Sequence, residues 1–329
     1  MIRKLIAGAA LATVVGTAVF NRSTRKKAEA QVPADGTFIE IDGNRLHYVE
    51  RGDAANPAIV LIHGLGGQLR NFGAPLVADL EKDYRLILVD RPGSGWSTRA
   101  ADASSSLWQQ AAVIAKFIRA LGLERPVVVG HSLGGALALT IAAEHPDVVG
   151  RLLLICPLTQ DAKDVPEAFK GLEIRSPTMR RIVANTIAVP LGIINQEKIL
   201  GQVFGPEAVP EDFMIAGGGA LSARPEAFYE TSSDLVALED QLPLLVQLYS
   251  RIQVPVRILY AEGDQLLDPQ LHGLCTVDQL ADAQCEIVPG GHMLPFTQPE
   301  MTAAWIRRSA DDVARAEPKR RVEAAVAAE

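Results

Sequence analysis

Gly130-His131-Ser132-Leu133-Gly134 stands between an apolar run, Val127-Val128-Val129, and a run of small residues, Gly135-Ala136-Leu137-Ala138-Leu139. A strand, a Gly-x-Ser-x-Gly turn and a helix in that order are what a strained nucleophile elbow requires. To lift its hydroxyl above a sheet edge, the serine must occupy unfavourable backbone space, and the residues two before and two after it must be small. Gly130 and Gly134 meet that demand. The helix that follows aims its unpaired N–H groups at the place where an oxyanion would form. Ser132 is therefore read as a nucleophile, in preference to a turn serine.

The surroundings extend this local reading to a fold. Ala58–Ile62, Arg85–Val89, Val127–Val129 and Leu152–Ile155 are short apolar runs of the kind expected from strands buried on both faces. Helical stretches separate them, notably Trp108–Leu121 and Leu133–Glu144, so an α/β class with a mostly parallel sheet flanked by helices is expected. Thr37–Ile41 and Arg45–Val49 precede it, joined by Asp42-Gly43-Asn44, a hairpin signal. After Cys156-Pro157 the strand rhythm stops, and Met179–Ala188, Gln196–Phe204 and Pro225–Leu238 look helical, which predicts an inserted helical cap. Strands resume at Val256–Tyr260 and Cys285–Val288, and Thr297–Ser309 makes a closing helix. The expected division is 1–30 as an N-terminal segment, 31–156 and 239–310 as core, 157–238 as cap and 311–329 as a charged tail. Residues 21–36 read as a linker.

A net charge of −7, with basic residues clustered at the ends, argues against nucleic acid as a partner and for a small, largely apolar substrate. Cys156, Cys275 and Cys285 are too few and too scattered for a disulfide framework or a zinc site, so no metal and no cofactor are expected. At the N-terminus, Leu5–Phe20 is uncharged and is followed by Arg22, Arg25, Lys26 and Lys27. As a helix this stretch reaches about 24 Å, short of the roughly 30 Å hydrocarbon core unless flanking basic side chains snorkel. An uncleaved membrane anchor is the expectation, with the domain on the cytoplasmic side by the excess of basic residues after the run. A signal peptide cleaved at Ala28-Glu29-Ala30, exporting the domain, is the alternative; the four basic residues before that site oppose it.

A serine hydroxyl needs a base, a carboxylate to orient that base, and donors for the oxyanion. His292, in Gly290-Gly291-His292, follows the strand ending at Val288, and Asp264 follows the strand Val256–Tyr260. Both project from carboxyl ends of strands, where ligands collect in open α/β sheets. Asp268, four residues on, competes with Asp264 for the role of acid. His63 and His131 are expected to hold loops, and His47, His145 and His272 to be structural or solvated.

The order Ser132, Asp264, His292 resembles that of the α/β-hydrolase superfamily, in its serine-nucleophile esterase and lipase-like branch with a helical cap. His63-Gly64-Leu65-Gly66-Gly67 resembles its oxyanion loop, and Asp90-Arg91-Pro92-Gly93-Ser94-Gly95-Trp96-Ser97 its D-x-x-G-x-G-x-S segment. The likeness covers roughly residues 37–156 and 255–309. It implies an oxyanion hole formed by the backbone N–H groups of Leu65 and Leu133. It also implies hydrolysis of carboxylic esters through an acyl-enzyme, with C–C bond hydrolysis or acyl transfer by the same triad, or a catalytically idle binding fold, as alternatives. The Asp90 loop reads as structural, with Arg91 paired to an acid, and Gly217-Gly218-Gly219 as a kink and not a phosphate loop. Phe204, Phe213, Met214, Phe228 and Tyr229 are candidates to line an apolar pocket.

Overall fold

The computed structural model describes residues 2–161 and 164–311, without the side chains of residues 2–15. Eight strands form one sheet in the spatial order β1-β2-β4-β3-β5-β6-β7-β8. β1 (Thr37–Ile41) and β2 (Asn44–Arg51) are a hairpin whose loop residues Asp42 and Gly43 have φ of 49° and 74°, as a tight turn requires. β2 runs antiparallel to β4 (Arg85–Val89). β3 (Ala58–Ile62), β5 (Val127–His131), β6 (Arg151–Ile155), β7 (Val256–Ala261) and β8 (Ala283–Val288) continue the sheet from β4, all parallel. The central strands are Val, Ile and Leu runs because both of their faces are covered, and β7 is buried at every residue.

The chain moves from β3 outward to β4 and returns to β5 on β3's other side, so the strand order reverses between β3 and β5. The crevice beyond the carboxyl ends of those two strands is where an open sheet of this kind collects ligands. The helices are α1 (Ile2–Gln31), α2 (Ala74–Leu80), α3 (Leu107–Ala120) and α4 (Leu133–Glu144) before β6. α4 is composed of small and apolar residues because it is buried from Leu133 to Ala143.

Between β6 and β7 lies the helical cap, with α5 (Pro177–Val183), a π-helical turn at Ala184–Ala188, α6 (Val189–Ile194), α7 (Gln196–Phe204) and α8 (Pro225–Gln247). Single turns α9 (Cys275–Val277) and α10 (Leu294–Thr297) flank β8, and α11 (Pro299–Asp311) closes the described chain.

Three expectations need correction. α8 runs unbroken past residue 238 to Gln247 with Pro243 inside it, so a cap boundary at 238 would cut one helix. The helix expected to end at Ala188 continues as α6, whose first turn holds Pro190, where a missing N–H costs little. Residues 21–31 are not a linker: α1 continues to Gln31, and Asn21, Ala28 and Val32 are buried. Asn21 Nδ2 donates to the Asn185 carbonyl at 2.9 Å, Trp96 Nε1 to that of Val32 at 3.0 Å, and Arg25 pairs with Glu226 at 2.7 Å. Ala28 packs with Ala220 and Leu221, so the proposed cleavage sequence lies within a docked helix.

Among the described residues no helix is long and apolar enough to cross a membrane. The stretch Leu5–Phe20 falls largely on residues whose side chains lie outside the description, and the tail from residue 312 lies outside it altogether.

Candidate active site

Ser132 sits between β5 and α4 with φ 55° and ψ −122°, a conformation that costs a non-glycine residue of the order of 1–3 kcal/mol. The turn is held on both sides. Ser132 N–H donates to the Ile155 carbonyl at 3.1 Å, and its own carbonyl accepts from Gly135 at 2.8 Å and Leu158 at 3.0 Å. A Cβ at Gly134 would lie 2.1 Å from the Ile62 carbonyl oxygen, and one at Gly130 2.4 Å from that of Gly134. No other residue fits either place.

His292 is 3% exposed and lines the same cavity as Ser132. Its Nδ1–H donates to Asp264 Oδ2 at 2.7 Å, which leaves Nε2 as the basic nitrogen. Asp264 Oδ1 accepts from the backbone N–H groups of Leu266 at 2.9 Å and Leu267 at 3.1 Å. Burial pushes the Asp264 carboxyl up, but the His292 charge and these hydrogen bonds outweigh it, so its pKa lies below the usual carboxylate value. Asp268 faces elsewhere, its Oδ1 accepting from the Gln270 N–H at 2.9 Å.

His131 Nε2–H donates to the His292 carbonyl at 2.9 Å, and burial together with the neighbouring His292 holds the His131 pKa down to about 3. Cys156, at the end of β6, also borders the pair: ligand atoms of Cys156, Asp264 and His292 lie within 4.8 Å of one another. Burial and the Asp264 charge push that thiol well above its ordinary pKa. The trio is therefore an ionised acid, an imidazole and a neutral thiol, with the acid and the imidazole bonded to each other.

Leu133 is the first residue of α4, so its N–H is one of those left without an intrahelical partner. Gly64 lies hard against Ser132, because a Cβ there would be 2.8 Å from Ser132 Cβ and 3.2 Å from its Oγ, and the next peptide carries the Leu65 N–H. The loop is fastened from below by a fully buried guanidinium. Arg91 Nε donates to the His63 carbonyl at 3.1 Å, Nη2 to the Gly64 carbonyl at 3.0 Å, and Nη1 to Asp234 Oδ2 at 2.7 Å and Gln110 Oε1 at 2.9 Å. His63 Nδ1–H reaches the Gly64 carbonyl at 2.9 Å while Nε2 accepts from the Arg91 N–H at 3.0 Å, so one tautomer satisfies both. Burial and the Arg91 charge hold its pKa down to about 4. Asp90 accepts from Leu69 N–H and Trp96 N–H, each at 2.8 Å, and from His47 Nδ1 at 2.8 Å.

Residues 57–299 match the sequence profile of the alpha/beta hydrolase fold family. The chain belongs to that family. It is similar to a carbamate hydrolase RutD assignment from Caulobacter sp. (strain K31), 27% identical over 77% of this chain and 91% of that one. It is also similar to the monoacylglycerol lipase abhd6-A of Xenopus laevis, 27% identical over 81% of this chain and 79% of that one. A 132-residue stretch is 35% identical to the acetyltransferase component of the acetoin cleaving system of Cupriavidus necator, of whose length the match spans only 34%. Among solved structures, a bacterial membrane phospholipase A has the same fold, with a TM-score of 0.66, 24% identity and coverage of 94% of this chain and 98% of that one.

In this hydrolase the cavity above Ser132 measures about 620 Å³, within the range of small-molecule sites. Core residues Gly64, Leu65, His131 and His292 form its floor, and cap residues from α5 to α8 form its walls. Phe213, Met214 and Phe228 line it as expected, whereas Phe204 is enclosed in an aromatic cluster with Phe213 and Phe296, and Tyr229 stacks under Arg180 and Arg181. The Gly217 carbonyl accepts from Gln68 Nε2 and Asn71 Nδ2, each at 2.8 Å, so the triple glycine is a clasp between the cap and the segment that follows Gly67.

One contributor escaped the sequence reading. Glu207, in the cap, accepts from Gly291 N–H at 3.1 Å, Thr297 Oγ1 at 2.8 Å and Gln298 Nε2 at 3.0 Å, and so fastens the loop that carries His292. Its partners lie more than 80 residues away in sequence, and nothing local announces them.

Proposed function

We propose that this chain is a serine hydrolase that cleaves a carboxylic ester of a small, largely apolar substrate through an acyl-enzyme. The observation that carries the reading is the Asp264–His292 pair opening onto the same cavity as a serine held at a strained elbow. In the proposed cycle Ser132 Oγ attacks the ester carbonyl while His292 Nε2 takes its proton. The N–H groups of Leu65 and Leu133 receive the developing oxyanion, and each such donor supplies about 2.7–4 kcal/mol of transition-state stabilisation. His292 then protonates the departing alcohol, and a water deprotonated by the same nitrogen releases the acid. Asp264 remains ionised throughout and orients the ring.

The cap, here taken as residues 157–247, supplies the wall that selects the acyl or alcohol group. We also propose that residues 1–30 associate the protein with a membrane. Leu5–Phe20 reaches about 24 Å as a helix, enough to enter a bilayer without crossing it.

The test is mass spectrometry after a fluorophosphonate probe, beside hydrolysis of nitrophenyl esters of graded acyl length. The expected result is one adduct, on Ser132, with turnover that depends on chain length. An adduct without ester turnover would move the reading to C–C bond cleavage or acyl transfer, and the absence of any adduct would remove the serine mechanism.

A further inference from the structure

Six large apolar side chains stand exposed within one short stretch of the cap: Met179, Ile182, Ile187, Leu191, Ile193 and Ile194, the last 76% exposed. Single exposed hydrophobics need no explanation, but a cluster of this size marks a surface that meets something apolar. Three of the six, Ile187, Leu191 and Ile193, also line the cavity above Ser132. The other three, Met179, Ile182 and Ile194, are exposed without lining it, so this stretch of the cap is apolar toward the cavity and toward solvent.

The N-terminal helix fixes the level at which this wall sits. Along α1, Val19 and Phe20 are 64% and 44% exposed, while Asn21 is 4% exposed and bonded to Asn185, in the π-helical turn between α5 and α6. The exposed residues Val19 and Phe20 therefore lie beside the apolar wall, and in the sequence they close the uncharged run Leu5–Phe20. Arg22, Lys26 and Lys27, all exposed, follow within about 10 Å along the helix at 1.5 Å per residue. A bilayer carries its polar headgroups over roughly that depth outside the hydrocarbon, and anionic headgroups attract such residues. A surface placing Leu5–Phe20 in hydrocarbon and these cations among headgroups meets Ile187–Ile194 at the boundary, where amphipathic segments bury their apolar face about 5–10 Å deep. Residues 179–194 contain no acidic side chain to oppose this.

From this juxtaposition we infer that the α5–α6 face of the cap docks on an anionic lipid bilayer and that the pocket takes its ester substrate directly from the lipid. This rests on the esterase reading above and names the source and class of its substrate: a long-chain acyl ester dissolved in the leaflet. The cavity volume of about 620 Å³ holds roughly twenty heavy atoms at about 30 Å³ each, the size of such a chain with its ester.

The test uses the full chain with vesicles of phosphatidylglycerol and phosphatidylcholine. Ile182 and Ile194 are exposed but do not line the cavity. The Ile182→Asp/Ile194→Asp double variant should hydrolyse nitrophenyl butyrate in solution within twofold of the parent, and nitrophenyl palmitate carried in the vesicles at least tenfold more slowly. Independently of activity, Ile194→Trp should gain fluorescence that is quenched by vesicle lipids brominated along their acyl chains. Equal palmitate rates in parent and double variant, or no quenching, would overturn the docking. So would a dimer in solution that the double variant dissociates while palmitate turnover persists, since the face would then join two copies of the chain. Loss of butyrate hydrolysis in the parent would sink the esterase reading alone, and the quenching would still decide whether the face meets lipid.

Discussion

Replacing Arg91 with lysine separates the charge of the buried guanidinium from its shape. An ammonium can still meet Asp234, which is 2.7 Å from Nη1, but a single nitrogen cannot also reach the His63 and Gly64 carbonyls that now accept at 3.1 and 3.0 Å. Hydrogen bonds to a charged group contribute about 1.5–3 kcal/mol each, so losing two from a site sealed from water should cost about 3 kcal/mol of stability or somewhat more. Against a typical total of about 5–15 kcal/mol this leaves a folded protein. The catalytic effect is bounded by the value of one oxyanion donor, about 2.7–4 kcal/mol, because Arg91 touches the loop and not the substrate. A partial displacement of the Leu65 N–H corresponds to roughly half of that, a fall in kcat of about ten- to thirtyfold with KM nearly unchanged. Urea unfolding gives the stability change, and nitrophenyl butyrate kinetics give the split between kcat and KM. If Arg91→Lys lost about 3 kcal/mol yet kept kcat within twofold, the guanidinium would brace the fold without positioning the oxyanion hole. A variant as stable as the parent would refute the buried hydrogen bonds themselves.

Ser132→Gly should abolish ester turnover and raise thermal stability by the equivalent of about 1 kcal/mol, because glycine relieves the φ of 55°; calorimetry that finds a destabilised variant would contradict the strain. Glu207→Ala should lower kcat several-fold by loosening the His292 loop, with KM little changed, and Glu207→Gln should recover part of it; equal effects of the two on KM would point instead to a disturbed pocket. His63 and His131 are held down to about 4 and about 3, whereas an unfolded imidazole titrates near 6.5. The unfolded chain therefore binds the extra protons first as pH falls. The stability these residues contribute is complete above about pH 6.5 and is lost towards pH 4, by up to about 1.4 kcal/mol per pH unit for each. Melting temperatures of parent and His131→Gln between pH 7 and 5 should diverge in slope, and parallel curves would show that His131 does not contribute. Removing residues 1–15 should leave a stable domain, whereas removing residues 1–30 takes away Ala28 from Ala220 and Leu221 and breaks the Asn21–Asn185 and Arg25–Glu226 contacts, and should lower the melting temperature by several degrees; identical melting of the two truncations would mean the docked half of α1 adds nothing.

The strands were legible because a strand covered on both faces has to be written in Val, Ile and Leu, and such runs stand out between helices. The elbow was legible because its steric demand is local: two small residues flank one serine. Asp264 and His292 could be nominated because each follows its strand within a few residues. The docked half of α1 was hidden, since only Asn21 and Ala28 on it, with Val32 just beyond its end, are buried, while Arg22, Lys26 and Lys27 around them are exposed and read as linker. α8 was cut short because its later turns carry acids and Pro243, and its length follows from packing of Leu238, Leu242 and Leu245 against the core. The fastening of the Gly64–Leu65 loop and of the His292 loop could not be read at all. Arg91 meets Asp234 across 143 residues and Glu207 meets Gly291 across 84, distances over which a single sequence carries no pattern.

α8 bears on the site in two ways. Ala227, Phe228 and Thr231 form one wall of the cavity, while Asp234, about one turn beyond Thr231, grips the guanidinium beneath the Gly64–Leu65 loop. A substitution that tilts this helix to admit a bulkier acyl group also drags on the Gly64–Leu65 peptide, so a change of selectivity there comes with a loss of rate. Among the described residues, Arg91 makes no such tie between the opposite wall, α5 and α6, and the Gly64–Leu65 loop. Broadening the substrate range by laboratory evolution should accordingly succeed along Val183–Ile193 and stall along Ala227–Asp234, a division of labour between an exchangeable wall and a fixed one.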